Sequence, residues 1–432
     1  MARLERPAIV VVSHICPFPP IHGNRSRLVA LLRWLKSNGF RVTYVLQPLD
    51  LDESSDIPAL ASIVHHLEIV RAPHERLRIL SLLRRTAGRV AKWVLPDPVV
   101  ARMRRFLEHS QPSNPTVMER WGTGGDRHID RWCWPGTCKA VRRLVEETRP
   151  TAIIAEYALL SKCFEEVPPS TLKVIDTVEV FFRNRERFNV EGLAAPFVCT
   201  PESESTALER GDVLIGIQKN EAEALKQLFP SKRVITVGHT YARSGVPSRS
   251  PANGVVLYVG SSNPFNVHGL QLFLARAWPG IVAAVPHARL RIVGSCPRVA
   301  GSEQAGVVYV GRVSDDALTR EYETAHVVIN PQVAGTGLKI KCVEALSAGC
   351  PMVMNQAGAD GIEEGAGSAF LLASDWDEFL KHVVRIITDD PLRTALESEA
   401  AGLAVRLFSA EATFSELARE LEQRRSSAPS SR

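Results

Sequence analysis

Short apolar runs alternate along this chain with longer stretches of helical periodicity. Ala8–Ser13 reads Ala-Ile-Val-Val-Val-Ser, a continuous apolar run of the kind that a strand buried on both faces requires. A loop over 14–24 follows, and Leu28, Leu31, Leu32 and Leu35 then mark one face of a helix. Gly39 ends that helix, and Arg41–Leu46 is the next strand. Strand, helix, strand in this order predicts a parallel sheet. Further strands are expected at 152–155, 173–176, 213–215 and 233–237. The alternation restarts with strands at Val255–Val259, Arg289–Val293, 307–310, 327–329 and 352–354, and with a helix lined by Leu270, Phe273, Leu274 and Ala277.

The stretch 241–254, rich in Pro, Ser, Gly and Arg, separates the two sets of strands and reads as a linker. The pattern therefore predicts an α/β protein of two Rossmann-like parallel-sheet domains facing a central ligand cleft. The expected division is an N-terminal Rossmann-like domain over 1–240, the linker over 241–254, a C-terminal Rossmann-like domain over 255–405, a C-terminal helix over 406–423 and a disordered tail over 424–432. The segment 110–138, rich in Pro, Gly, Trp and polar residues, is expected to be an irregular excursion.

Composition narrows the picture. A chain of 432 residues with 45% hydrophobic content suits two globular domains. No apolar run approaches the length of about 18 residues that a membrane-spanning helix needs, and no signal peptide is read at the N-terminus. A cytoplasmic location is expected. The eight cysteines are scattered, and neither Cys133 with Cys138 nor Cys342 with Cys350 has His or Cys partners at zinc spacing. Free, mostly buried thiols and no metal are expected. The net charge of +5 is mild but uneven. Arginines crowd 71–105, interleaved with Leu77, Ile79, Leu80, Trp93 and other apolar residues. This segment fits either a helix packed on its own domain or a peripheral contact with an anionic membrane at the inner face. No nucleic-acid motif accompanies the charge.

The most informative stretch follows the strand at 327–329. Gly335-Thr336-Gly337 forms a small-residue loop that opens into a helix, with Leu338 and Lys339 next and Glu344 further along. A helix start leaves N–H groups unpaired and attracts phosphate. Lys339, expected in the first turn, adds a full charge, and Glu344 can accept hydrogen bonds from sugar hydroxyls. The bland alternatives are a surface lysine and an ion pair of Glu344 with Lys341. No Walker spacing is present.

This segment resembles the donor-binding stretch of GT-B glycosyltransferases, especially the retaining group called family 4. The resemblance rests on Gly335-Thr336-Gly337, Leu338-Lys339, Glu344-Ala345 and Gly349-Cys350-Pro351-Met352-Val353. It covers about 255–372 well and the first half more loosely. Thr336 stands where many members carry the first of two glutamates, and Val178 replaces a histidine found in some members. The resemblance implies a sugar nucleotide held by Gly260 and Ser261 on one side and by Gly335, Thr336, Gly337, Leu338 and Lys339 on the other. It places the nucleobase at Arg312 and Val313 and the ribose at Glu344. It also implies retaining transfer, in which the departing phosphate takes the acceptor proton. No cofactor is then implied, and the nucleotide-diphosphate sugar is a co-substrate.

The first domain is expected to bind the acceptor through His14, His22, Gly23, Asn24 and Arg25, at the carboxyl end of the first strand. Lys339 and Glu179 are the candidate catalytic residues. Arg183, Arg185 and Arg187 follow Glu179. Asp50-Leu51-Asp52 resembles a metal-binding motif of a different glycosyltransferase fold but reads as a solvated loop. The function expected is sugar transfer to a glycan, lipid-linked or small-molecule acceptor. The alternative is a non-catalytic homologue that binds a sugar nucleotide or glycan as a partner subunit.

Overall fold

A computed structural model describes residues 6–20, 23–48, 55–70, 128–181, 199–241, 249–335 and 338–427. These fall into two compact units, one within 1–176 and 195–213, the other within 177–194 and 214–432. The basic stretch 71–105, Asp50, Asp52, His22, Arg183, Arg185, Arg187, Thr336 and Gly337 lie outside the described residues.

The first sheet has seven strands: β1 Ala8–Ser13, β2 Arg41–Leu46, β3 His66–Ile69, β4 Ala152–Glu156, β5 Leu172–Asp176, β6 Val213–Gly216 and β7 Arg233–Thr236. Their order is β3-β2-β1-β4-β5-β6-β7. β1 runs parallel to β2 and β4, β2 to β3, and β4 to β5. Every residue of β1 is buried, as its unbroken apolar run requires. Helix α1 (Gly23–Ser37) buries Leu28, Leu31, Leu32 and Leu35. It ends where the Phe40 N–H reaches the Leu35 carbonyl and Gly39 turns left-handed. Helix α2 (Ile57–Ile63) is capped by Asp56.

Between β3 and β4 the expected irregular excursion is corrected at its C-terminal end. A single 3-10 turn at Ile129–Trp132 leads into helix α3 (Pro135–Thr148), so Cys138 is helical. Pro135 sits in the first turn, where its missing N–H costs nothing. Helices α4 (Pro201–Glu209) and α5 (Lys219–Leu228) follow β5 and β6.

The second sheet comprises β8 Val255–Val259, β9 Arg289–Val293, β10 Val307–Gly311, β11 Val327–Asn330, β12 Met352–Asn355 and β13 Leu371–Ala373. The order is β10-β9-β8-β11-β12-β13, and all five pairings are parallel. Helices α6 (Pro264–Arg276), α7 (Trp278–Ala284) and α10 (Trp376–Thr388) cover one face through Phe273, Trp278, Phe379 and Val383. The other face packs on α9 (Ile340–Ser347) and α11 (Asp390–Phe408) through Val343, Leu346, Met352 and Leu403. Helix α8 (Asp315–Thr324) joins β10 to β11.

Two expectations about the chain's connections change. The described part of 241–254 is tied down, because Arg249 donates to the Tyr322 and Ala325 carbonyls at 3.0 and 2.6 Å and pairs with Glu397 at 3.2 Å. The last helix, α12, spans Ala410–Ser427, so Arg424 and Arg425 continue a helix rather than begin an unfolded tail. Glu416 and Glu420 of α12 accept from the Thr236 N–H and the Arg233 guanidinium of β7.

The ends of β8 and β9 approach very closely. Gly294 has φ +112°, and a Cβ there would lie 2.2 Å from the Gly260 carbonyl oxygen. Gly294→Ala is therefore expected to lower the unfolding free energy by at least about 2 kcal/mol, since clash adds to left-handed strain. Urea unfolding checks this, and a variant with unchanged midpoint contradicts the close approach.

Candidate functional site

In the second sheet the chain proceeds outward from β8 through β9 to β10, then returns to the other side of β8 with β11. The loops leaving β8 and β11 thus depart in opposite directions from neighbouring strands. Such a switch point leaves a crevice at the carboxyl ends of a parallel sheet, where ligands bind. Gly260 and Ser261 leave β8, and the loop with Gly335, Leu338 and Lys339 leaves β11. The predicted donor residues on the two sides are therefore brought to one place.

Lys339 is the N-cap of α9 rather than a first-turn residue, and it offers no side-chain cap. The first N–H groups of α9 are thus left without a cap oxygen, whereas α6, α8 and α10 are capped by Asn263, Ser314 and Asp375. Its side chain is 7% exposed, which overturns the surface-lysine alternative. The Nζ donates to the Gly335 carbonyl at 3.3 Å and lies 3.9 Å from Asp360 Oδ2. The buried ammonium therefore has a partial counter-charge from Asp360, in the loop after β12. Gly335 itself is left-handed, at φ +101°.

A second lysine joins the first. Lys341 Nζ donates to Asn266 Oδ1 at 2.7 Å and sits 5.2 Å from the Tyr258 ring centroid. Asn266 Nδ2 donates to Ser261 Oγ at 3.0 Å, and the Tyr258 hydroxyl donates to the Asn266 carbonyl at 2.8 Å. Lys341 therefore links α9 to the loop after β8 across the switch point. Burial, joined by the neighbouring Lys339 charge, pulls the Lys341 amine down to about 8. Sequence reasoning treated Lys341 only as a partner for Glu344. The Lys-x-Lys spacing at the helix start was the available signal.

The alternative reading of Glu344, an ion pair with Lys341, is not found among the described residues. Glu344 Oε2 instead accepts from the Tyr322 hydroxyl at 3.0 Å. Burial raises this carboxyl to about 7, against the lowering effect of the tyrosine bond. Arg312 is exposed just beyond β10, and Val313 packs on the core beside it.

In the first sheet the switch point lies between β1 and β4. His14 follows β1 directly, 5.2 Å from the Tyr157 ring, and burial lowers its imidazole to about 4, so it is neutral at physiological pH. Gly23, Asn24 and Arg25 open α1, where Asn24 Oδ1 accepts the Arg25 N–H at 2.9 Å. Ser13, Glu156 and Asp176 are the last residues of β1, β4 and β5. Ser13 donates to Glu156, and Arg27 pairs with Asp176. Burial raises the Glu156 carboxyl to about 8, and the Asp176 charge adds to the rise. Sequence reasoning did not single out Glu156, Ser13 or Arg27, because only the sheet order brings them together.

Backbone strain gathers at the same edge. Tyr157 has φ +64° and Val178 has φ +54°, both in the positive-φ region that favours glycine. Glu179 follows Val178, half-buried, in the loop after β5.

The comparisons with known proteins agree with this architecture. Residues 253–389 match the model of the family described as Glycosyl transferases group 1. A curated Klebsiella pneumoniae relative, described as an uncharacterized 44.6 kDa protein in the cps region, is 25% identical over 388 residues, covering 87% of this chain and 90% of its own. Sucrose-phosphate synthase from Thermosynechococcus elongatus superposes with TM-score 0.64 at 15% identity, over 98% of this chain and 100% of that one. Anabaena HepE, solved in complex with UDP and glucose, does so with TM-score 0.56 at 13% identity, over 96% and 99%. The protein has the GT-B architecture of these structures, and its second sheet lies within the stretch that matches the glycosyl transferases group 1 model.

The buried Glu156 carboxyl gives a pH prediction. Its folded value near 8 lies above the ordinary 4.5, so its contribution to stability is full below pH 4.5 and is lost as pH rises through 8. Glu156→Gln is expected to flatten the fall in melting temperature over that window and to gain a few kcal/mol relative to the parent at pH 9, an order-of-magnitude figure. Parallel pH profiles of the two proteins refute the assignment.

Proposed function

We propose that this protein is a glycosyltransferase that moves a sugar from a nucleotide-diphosphate donor to a glycan, lipid-linked or small-molecule acceptor, with retention of anomeric configuration. The observation that carries the proposal is the lysine pair at the second sheet's switch point. Lys339 and Lys341 sit beside a helix start that lacks a side-chain cap, where a diphosphate would meet both charge and free N–H groups. In the proposed step the bond between the anomeric carbon and the phosphate oxygen breaks. The acceptor oxygen bonds to that carbon on the same face, and its proton passes to the departing phosphate. Negative charge grows on the leaving group, and the two ammonium groups oppose it. Neither a protein nucleophile nor a cofactor is part of this step.

The donor residues proposed are Gly260, Ser261, Gly335, Thr336, Gly337, Leu338, Lys339 and Lys341, with Arg312 and Val313 toward the base and Glu344 toward the ribose. The segment 1–240 is proposed to take the acceptor through His14, His22, Gly23, Asn24 and Arg25, with Glu179 as the carboxylate beside the reacting hydroxyl. The UDP and glucose of the HepE complex make uridine nucleotides the first donors to try. The cps region named for the Klebsiella relative favours a polysaccharide acceptor. A cytoplasmic location with peripheral membrane contact through 71–105 is proposed with this reading. Among the described residues no helix is long and apolar enough to cross a membrane.

Purified protein with a panel of nucleotide sugars and an acceptor extract is expected to release nucleoside diphosphate and to give a product whose anomeric signal matches the donor. Binding without release across the panel would instead support a partner-subunit role.

Calorimetry with UDP supplies a second test. Lys339→Met and Lys341→Met are each expected to weaken binding about tenfold or more, the value of a charge-assisted hydrogen bond. Parent affinity is expected to fall as pH rises through 8, because Lys341 then loses its charge, and Lys341→Met is expected to lose most of that dependence. Unchanged affinity in both variants removes the pair from the donor site.

A further inference from the structure

A cavity in the second unit is lined by none of the proposed donor residues. Its volume is about 450 Å3, within the ordinary range for small-molecule sites. It lies at the carboxyl ends of β12 and β13, with Val333 of the β11 loop on one wall, Asn355 and Gln356 on another, and Trp376 at the start of α10.

The lining chemistry narrows the ligand. Among the described lining residues there is no lysine or arginine, so a phosphate finds no counter-charge. The two carboxylates are already used. Asp375 Oδ1 accepts the Glu378 N–H at 2.8 Å, while Glu378 Oε2 accepts from the Ser374 N–H at 2.8 Å and its hydroxyl at 2.6 Å. This reciprocal cap sets their charge against the start of α10 and removes the case for a cationic ligand. Trp376 is half-buried, with its ring held 5.7 Å from that of Phe379. Asn355 Nδ2 donates to the Pro331 carbonyl at 3.2 Å, which fixes the amide while no protein donor among the described residues reaches its Oδ1. The Gln356 side-chain amide is exposed, with no protein partner among the described residues. A fixed aromatic beside two amides with spare donor and acceptor capacity suits a ring with one apolar face and several hydroxyls.

We propose that this cavity is a carbohydrate subsite taking one neutral pyranose ring, with Trp376 against its apolar face and Asn355 and Gln356 hydrogen-bonding its hydroxyls. The subsite is separate from the donor residues and does not rest on their assignment. Through Val333 and the Asn355–Pro331 bond it adjoins the β11 loop, so a sugar unit there would sit beside the donor loop without occupying it.

Saturation-transfer NMR on the whole chain, without nucleotide, tests this with the methyl glycosides of glucose, galactose, mannose and N-acetylglucosamine. At least one is expected to show ring-proton transfer. Trp376→Ala abolishes it, Trp376→Phe keeps it in weaker form, and the double variant Asn355→Ala with Gln356→Ala weakens binding about tenfold. Lys339→Met leaves it intact, which separates this test from that of the donor site. The proposal is overturned if none of the four sugars shows transfer. It is equally overturned if transfer survives both the Trp376→Ala and the double amide variants, or if Lys339→Met abolishes it. Because the amides lie on the cavity rim, the double variant keeps the test decisive should Trp376→Ala fail to fold.

Discussion

The parallel pairing of β8 with β11 is the constraint on which the second sheet's chemistry depends. β8 hands the chain outward to β9, while β11 hands it to α9 and then β12. Two loops and one helix start without a side-chain cap are therefore left beside the same strand ends. A helix start that lacks a side-chain cap is unfavourable unless water, an anion or a fixed cation geometry answers it. Here the N-cap lysine and a lysine of the first turn stand near it, although burying like charges close together opposes folding. Lys339 is relieved by Asp360 and the Gly335 carbonyl, and Lys341 by Asn266 and the Tyr258 ring. The Asp360 carboxylate stands 3.9 Å from the Lys339 ammonium, at the outer limit of an ion pair. The arrangement keeps positive potential available to a ligand instead of cancelling it internally.

The two switch points are built with opposite electrostatics. The second sheet gathers cations. The first gathers Glu156 and Asp176 with a single buried cation, Arg27, and a neutral His14. At neutral pH burial keeps Glu156 largely protonated, so the cluster carries little net charge. Hydroxyl groups are welcome in such surroundings and phosphates are not. On the function proposed above, a sugar nucleotide and a sugar hydroxyl are sorted to different sheets by charge.

The fold was legible because buried parallel strands are nearly continuous apolar runs. β1, β2, β8 and β9 match their expected limits to the residue. β3 and β13 escaped notice for physical reasons. β3 is an edge strand with no fully buried residue, and β13 has three residues, too few to show a period. The site was legible only where chemistry was local. Gly335, Leu338 and Lys339 announce themselves by their spacing. Thr336 and Gly337 do so as well, though the structure does not describe them. Lys341 and Glu344 are three residues apart on one helix, and local spacing suggested that they pair. Tertiary contacts decide otherwise, since Asn266 and Tyr322, distant in sequence, capture one each. Glu156 and Asp176 needed the strand order before their proximity meant anything.

The strained residues of the first sheet carry the argument one step further. A tyrosine and a valine at positive φ cost roughly 1–3 kcal/mol each relative to relaxed backbone. The Tyr157 N–H donates to the Asp176 carbonyl at 2.8 Å, and the Thr177 N–H donates to the Ile215 carbonyl at 3.2 Å. The strands thus stay hydrogen-bonded right up to the residues that turn. A sheet that merely ended would relax its first loop residues into ordinary conformations. These loops are instead held in turns that set His14 against Tyr157 and place Glu179 directly after Val178. Val178 is the more telling of the two, because a β-branched side chain is among the least tolerant of positive φ. A glycine there would remove the strain and also loosen the position of Glu179. The retained valine means that geometry at this edge is specified at a cost in stability. That cost falls at the strand ends where a parallel sheet binds its ligand.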